Sequence, residues 1–214
     1  MNPRFAFDLA AVGRVLVAGA DEAGRGCLAG PIVAASVAFD YSGWRDEDFD
    51  ELDGLNDSKK VAPARRALLY SAILACAKQV AIVSLDAATI DRRGLHVCNL
   101  LALSRSIEQL NPIPGKVFVD GFALKDCATP HEALVRGDSR SAVVAAASVI
   151  AKVTRDRIMS DLHASQPQWS FDVHMGYATP LHHECILANG VSSQHRMSFR
   201  SVAYQQLGMI PERD

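Results

Sequence analysis

The chain has 214 residues, of which 49% are apolar and 21% charged; this excludes a disordered chain and is long enough for one domain with a substantial core. Its 24 acids against 22 bases leave a net charge of -2, so no global attraction to nucleic acid is expected, and a site for a polyanion must be a local basic patch. The 5 cysteines are an odd number without a C-x-x-C spacing, which argues against a zinc site or a disulfide framework and predicts buried, reduced thiols in a cytoplasmic protein.

Arg4, Asp8 and Arg14 interrupt the first apolar stretch, so no signal-peptide core is expected. The longest apolar run, residues 142–151, is about half a membrane span, and no membrane partner is expected. Residues 15–20 read as a short buried strand, Gly24-Arg25-Gly26 as a turn and residues 32–39 as a second strand, together a hairpin. Residues 40–57, with Trp44 among several aspartates, read as a solvated acidic loop. Pro63 stands at a first helical position, with Leu69, Ile73 and Cys76 following at helical spacing. A third strand is predicted over 80–85, and Leu103, Ile107 and Leu110 mark a helix ending before Pro112. Residues 116–120 form a fourth predicted strand, 133–136 a fifth, and 139–163 a long Ala-rich helix. The tail carries His174-Met-Gly-Tyr177, then a short helix with Thr179 as N-cap, Pro180 in its first turn and Asn189-Gly190 at its end. A last helical stretch begins near Ser198. This order predicts a single α/β domain over 1–214, its core at about 1–170 and a helical extension at about 171–214.

The chemistry lies at strand ends. Asp21 and Glu22 end the first strand, Asp120 ends the fourth, and Asp138 follows the fifth. Functional residues in α/β sheets gather beyond strand ends, and carboxylates meeting there cannot all stay ionised without a compensating charge. A pair of divalent cations supplies one, and oxygen-only ligation selects Mg²⁺ or Mn²⁺ over zinc. Each acid has an alternative reading: Asp21 and Glu22 as solvated loop residues, Asp120 before Gly121 as turn chemistry, Asp138 as the cap of a helix starting at Ser139. Gly24-Arg25-Gly26 with Gly30 does not match the dinucleotide fingerprint, because Pro31 and a strand-like run follow where a helix is required; no G-K-[ST] occurs either. The glycines allow a ligand such as a sugar hydroxyl close to the backbone, or form an ordinary turn. Lys59, Lys60, Arg140 and Lys152 are candidates for phosphate contacts, or solvated surface charges. Tyr177 offers a flat face and a hydroxyl, or core packing. Arg155 and Arg157 are expected on other faces of the long helix. His182 and His183, adjacent on a helix, are expected at the surface, and His195-Arg196 receives no role.

Several blocks resemble one family. Ala18-Gly-Ala-Asp-Glu-Ala-Gly-Arg-Gly26 is similar to the first signature of type 2 ribonuclease H, the bacterial ribonuclease HII family. Leu55-Asn-Asp-Ser-Lys-Lys60, Val117-Phe-Val-Asp-Gly121, Gly137-Asp-Ser139, the block 146–156, Gly176-Tyr-Ala-Thr179 and His195-Arg-Met-Ser-Phe199 resemble that family's blocks in its order. The resemblance implies a ribonuclease H-like mixed five-stranded sheet flanked by helices. It also implies an endonuclease that cuts the RNA strand of RNA–DNA hybrids and cleaves on the 5′ side of single ribonucleotides embedded in duplex DNA, leaving 3′-hydroxyl and 5′-phosphate ends. Ribonucleotide excision and primer removal both fit that chemistry. Carried over by motif, Asp21, Glu22, Asp120 and Asp138 are the metal-binding acids for two Mn²⁺ or Mg²⁺ ions, Gly24, Arg25 and Gly26 read the ribose hydroxyl, and Tyr177 packs on the next sugar. Lys59 and Lys152 lie inside matched blocks; a monomer is expected. Met175 stands where the family often has lysine, residues 91–96 match weakly, and the acidic segment 40–53 is longer than usual and expected to point away from substrate.

Overall fold

The computed structural model describes residues 1–209. It opens with a helix the sequence did not announce, α1 (Pro3–Val12), started by the Asn2 side chain, which accepts from the Arg4 N–H, and by a proline in the first turn. Next come β1 (Leu16–Ala23) and β2 (Ile32–Asp40), paired antiparallel. The segment 40–57 corrects the expected solvated loop: it holds the short helix α2 (Asp46–Glu51). Tyr41, Phe49, Leu52 and Leu55 are buried, and Phe5, Tyr41, Trp44 and Phe49 form one aromatic cluster, with Phe5 edge-on to Phe49 at 5.2 Å. Apolar residues spaced between the acids pull this segment onto α1, while the acids stay in water; each aromatic pair adds about 0.5–1.5 kcal/mol beyond burial.

Helix α3 (Pro63–Cys76) begins at its proline and buries Leu69 and Ile73, followed by β3 (Gln79–Leu85). Two helices come next: α4 (Ala87–Arg93), capped by the Asp86 side chain, and α5 (Leu95–Glu108). After β4 (Lys116–Asp120), β5 (Glu132–Leu134) ends two residues earlier than expected, because Arg136 adopts a left-handed φ of 55° that ends the ladder. The long helix α6 (Ala142–Ser165) starts three residues later than expected, after a 3₁₀ turn over Gly137–Ser139, with Ser141 as its cap. The tail contains α7 (Phe171–His174), α8 (Pro180–Asn189), capped by Thr179 as expected, and α9 (Val202–Gln206), which begins beyond the expected Ser198. Residues 210–214 of the expected extension lie outside the described residues.

The sheet is mixed, in the order β3-β2-β1-β4-β5. Strands β1, β2 and β3 pair antiparallel; β4 is parallel to β1 and to β5. The two-residue period of a strand divides its side chains between two cores. Val17 and Phe118 join the core under α6, α1 and α3, while Ala18, Ala20, Val117 and Val119 join Ala102, Leu103 and Ile107 of α5 on the other face. Small residues in β1 have a direct cause. A Cβ on Gly19 would collide with the backbone of Val143 and Val144, so the start of α6 lies directly on β1 and stays close to the strand's end. Among the described residues no helix is long and apolar enough to cross a membrane, and all five cysteines are free thiols.

Candidate active site

The last paired residues of β1 and β4 are Ala20 and Val119, so Asp21 and Asp120 follow next on neighbouring parallel strands. Strand alternation turns both to the face covered by α6, with Glu22 on the other side of β1. Asp120 Oδ1 accepts from the Gly137 N–H at 2.7 Å, which ties the 3₁₀ turn carrying Asp138 to the end of β4. The Asp138 carbonyl accepts from Arg4 Nε of α1 at 2.9 Å. Ser141 caps α6 in place of Asp138, leaving the Asp138 carboxylate free of that role.

All four acids line one cavity of about 520 Å³. Gly24, Arg25, Gly26, Lys59, Lys152 and Tyr177 line it as well. Arg140 does not; its guanidinium lies 5.0 Å over the Phe7 ring. Lys60 is exposed and pairs with Asp57 at 3.9 Å. No residue of the acidic segment 40–53 faces the cavity.

The electrostatics of this cavity are unbalanced. Burial pushes the Asp21 carboxyl well above its ordinary range, and the charges of Glu22 and Asp120 push it further, against a hydrogen bond from Ser148. Glu22 is raised chiefly by burial and less by Asp120, with Arg25 and Lys59 opposing; Arg25 meets Glu22 Oε1 at 3.2 Å. Asp138 is raised by burial, then by Asp57 and Asp120. The cavity is short of positive charge, and its acidic donors are all oxygen, so the residues present fit hard divalent cations. Among the described residues no three His, Cys, Asp or Glu side chains stand close enough to hold a metal ion as they are placed; the four acids share the lining of one cavity.

Two serines of the cavity, Ser58 and Ser148, lie inside family-like blocks without a role legible in the sequence. Ser148 projects from α6 to Asp21 and shares a 2.9 Å hydrogen bond with Ser58. The available signal was a hydroxyl inside an apolar run, where a buried polar group needs a partner.

The connection from β1 to β2 is a broad loop packed on the tail. Gly24 has φ 96°, and a Cβ there would collide with the Arg155 side chain. Gly26 differs, with open space around it. Tyr177 is 37% exposed, with Lys152 Nζ 5.5 Å over its ring; Lys152 also meets Asp156 at 2.7 Å. Met175, standing where the resembled family often has lysine, has φ 50° and packs against the cluster of Ala29, Met159 and Trp169.

The tail corrects the expectation for His182, which is fully buried. Its ring stacks on His174 with centroids 4.0 Å apart, and its Nε2 lies 3.2 Å from His195 Nε2. His182 Nδ1 donates to the Tyr177 carbonyl at 2.9 Å. A histidine neighbouring another on a helix can still take the inward face, here toward Phe171.

A family model described as Ribonuclease HII matches residues 18–202. A ribonuclease HII of Geobacillus kaustophilus is 44% identical over 93% of this chain and 74% of its own. The crystal structure of the ribonuclease H2 from Pyrococcus horikoshii OT3 superposes with a TM-score of 0.73 at 26% identity, covering 90% of this chain and 97% of that one. Bst-RNase HIII in complex with Mn²⁺ shares the fold with a TM-score of 0.69 at 21% identity, over 92% of this chain and 70% of that one.

Proposed function

Since the chain belongs to the ribonuclease HII family, divalent-metal-dependent endonucleases that hydrolyse the RNA strand of RNA–DNA hybrids, we propose that it also cuts 5′ of single ribonucleotides embedded in duplex DNA. The products are a 3′-hydroxyl and a 5′-phosphate, and the task is ribonucleotide excision and primer removal. The observation that carries this reading is one cavity lined at once by four carboxylates, an open glycine and an exposed aromatic face.

In this reading Asp21, Glu22, Asp120 and Asp138 hold two ions, Mn²⁺ or Mg²⁺. Ions held there would supply activation of the attacking water and charge neutralisation at the departing oxygen. The protein's own groups select the substrate. The 2′-hydroxyl is what separates RNA from DNA at one nucleotide, and the backbone at Gly26 has no side chain to bar its approach. Gly24 and Arg25 complete that loop, and the Tyr177 ring packs on the sugar of the following deoxynucleotide. Lys59 and Lys152 hold phosphates beside the cavity, with Arg140 on the flank. The raised carboxyl groups favour any arrangement that brings positive charge to them. The chain acts as one monomeric domain over 1–214 in the cytoplasm, the α/β core to about residue 170 supplying the acids and the helical extension from about 171 supplying Tyr177.

Cleavage of a 5′-labelled strand tests the reading. An all-RNA strand paired to DNA and a DNA strand with one ribonucleotide are each incubated in Mg²⁺ and in Mn²⁺. The expected product ends immediately 5′ of the ribonucleotide with a free 3′-hydroxyl. Cutting of the hybrid but not of the single-ribonucleotide duplex in both metals would refute it.

A further inference from the structure

Two arginines outside the acidic cluster are fully buried, Arg155 of α6 and Arg196 after α8. Among the described residues neither has a carboxylate partner. A buried charge without a counterion is costly unless its donors are satisfied in another way. Here backbone carbonyls take all three Arg155 nitrogens and two of Arg196, whose Nη2 has no partner among the described residues. Arg155 donates from Nε to Pro31 at 2.9 Å, from Nη2 to Ala29 at 2.9 Å and from Nη1 to Met175 at 2.8 Å. Arg196 donates from Nε to Gly30 at 2.9 Å and from Nη1 to Arg25 at 3.2 Å. Four of these five carbonyls belong to the loop between β1 and β2; the fifth lies two residues before Tyr177.

We propose that Arg155 and Arg196 are positioning residues for ribonucleotide selection, a guanidinium pair that fixes the Gly24–Gly26 backbone and Tyr177 in one mutual register. The proposal rests on the substrate reading given above for the loop and the tyrosine. Three observations converge on it. Gly24, Gly30 and Gly176 all have positive φ; a Cβ on Gly24 would collide with the Arg155 side chain, one on Gly30 with Met159 and one on Gly176 with the Ala29 carbonyl, the last two with Arg155 Nη2 also within 3.3 Å, so glycines on both segments leave room for this guanidinium. The loop and the tyrosine segment are also joined directly, since the Leu28 N–H donates to the Gly176 carbonyl at 2.8 Å. Finally, a trans peptide points its N–H opposite to its C=O. Drawing the Arg25 carbonyl inward to Arg196 therefore turns the Gly26 N–H away from Arg196, and that N–H takes no backbone acceptor among the described residues. Lysine cannot replace this fork, because an ammonium is a point charge that cannot hold three fixed directions. The two uncompensated charges also set positive potential behind a loop that faces a polyanion.

Arg155→Lys and Arg196→Lys test the proposal, with Gly26→Val and Tyr177→Ala as direct probes of substrate reading. Selectivity is the ratio of cleavage at a single ribonucleotide to cleavage of an all-RNA hybrid strand, and loop order is amide hydrogen exchange. For Arg155→Lys the expected selectivity loss is about 10- to 100-fold, the scale of a 1 Å misplacement. The Leu28 and Gly30 amides should exchange faster while Val37 in β2 is unchanged. If Arg155→Lys does not fold, Arg196→Lys carries the same expectation with two bonds at stake. The assignment is overturned if Gly26→Val and Tyr177→Ala lose selectivity while the folded lysine variants keep it, or if exchange accelerates equally throughout the sheet. Unchanged selectivity in both Gly26→Val and Tyr177→Ala would instead overturn the substrate reading, and the proposal with it.

Discussion

Asp21 and Asp120 stand on neighbouring parallel strands one residue beyond the Ala20–Val119 pair and turn toward the same helix. The fold therefore forces two carboxylates together, one of them buried and raised by burial and by the negative charges of Glu22 and Asp120. Without metal this is a liability: a carboxyl raised in the folded state favours its protonated form, so metal-free stability falls as pH climbs above the unfolded value near 3.8. We expect Asp21→Asn to abolish cleavage in Mg²⁺ and Mn²⁺ and yet raise stability in EDTA at pH 8 by about 1 kcal/mol or more, roughly 2–4 °C for a chain of this size. Mn²⁺ should raise the melting temperature of the native chain far more than that of the variant. Thermal melts with and without metal decide it, and a less stable variant in EDTA would contradict the electrostatic account.

A second buried acid is structural. Asp8 Oδ2 accepts from the Tyr41 hydroxyl at 2.9 Å and from the Ala142 and Val143 N–H groups at 3.0 and 3.1 Å, joining α1 to the start of α6. Burial nevertheless raises its pKa to about 6, and Oδ1 has no partner among the described residues. Between about 4 and 6 the folded chain binds more protons than the unfolded one, so this group's contribution to stability is present below that window and is lost as pH rises through it. Asp8→Asn should flatten that slope. Asp8→Ala strands three donors and should cost about 2–4 kcal/mol at any pH. Urea titrations at pH 4.5 and 7.5 measure both, and a native slope of the opposite sign would refute the assignment.

Strand ends were legible because a run such as residues 116–120 shows its own period and terminating acid, and the four acids could be placed together from strand order alone. The 40–57 segment was not legible, since its acids outnumber its apolar residues and only the contact with Phe5 of α1 reveals which side matters. Arg155 and Arg196 were invisible for a related reason. A charged residue reads as surface unless its partner is known, and four of their five partners are carbonyls more than a hundred residues away in sequence. His182 failed on the same ground, because its ring neighbours are Phe171 and His174 of α7 and His195 after α8.

Gly24 and Gly26 look equivalent in the sequence and are not. Gly24→Ala forces a left-handed φ of 96° and a collision with Arg155, and should destabilise by about 2–4 kcal/mol. Gly26→Ala meets open space, so stability should change by less than about 0.5 kcal/mol while cleavage at a single ribonucleotide slows. Parallel melts and cleavage assays separate the two; equal stability losses would show that Gly26 is only a turn residue.

The hydrogen bonds of the histidine stack specify each tautomer. His174 donates from Nε2 to the Trp169 carbonyl at 2.7 Å and accepts the Gly176 N–H at Nδ1 at 3.1 Å. His182 donates from Nδ1 to Tyr177, so its Nε2 must accept from His195 Nε2; His195 Nδ1 then accepts the Ser192 N–H at 2.9 Å. Every ring nitrogen is taken by neutral rings, and an added proton must displace a donor. Burial accordingly lowers His182 and His195 to about 4, below the usual 6.5. For a lowered histidine the unfolded state binds the extra proton first, so the stack stabilises fully above about 6.5 and loses that contribution as pH falls toward 4. Ring ¹⁵N spectra at pH 7 should show His182 protonated on Nδ1 and His174 and His195 on Nε2, with His182 and His195 untitrated down to about pH 5. Since His182 holds the Tyr177 carbonyl, selectivity for single ribonucleotides should fall in the acid range before the hybrid is lost as a substrate. Either ring titrating near 6.5 in the folded chain would refute the assignment.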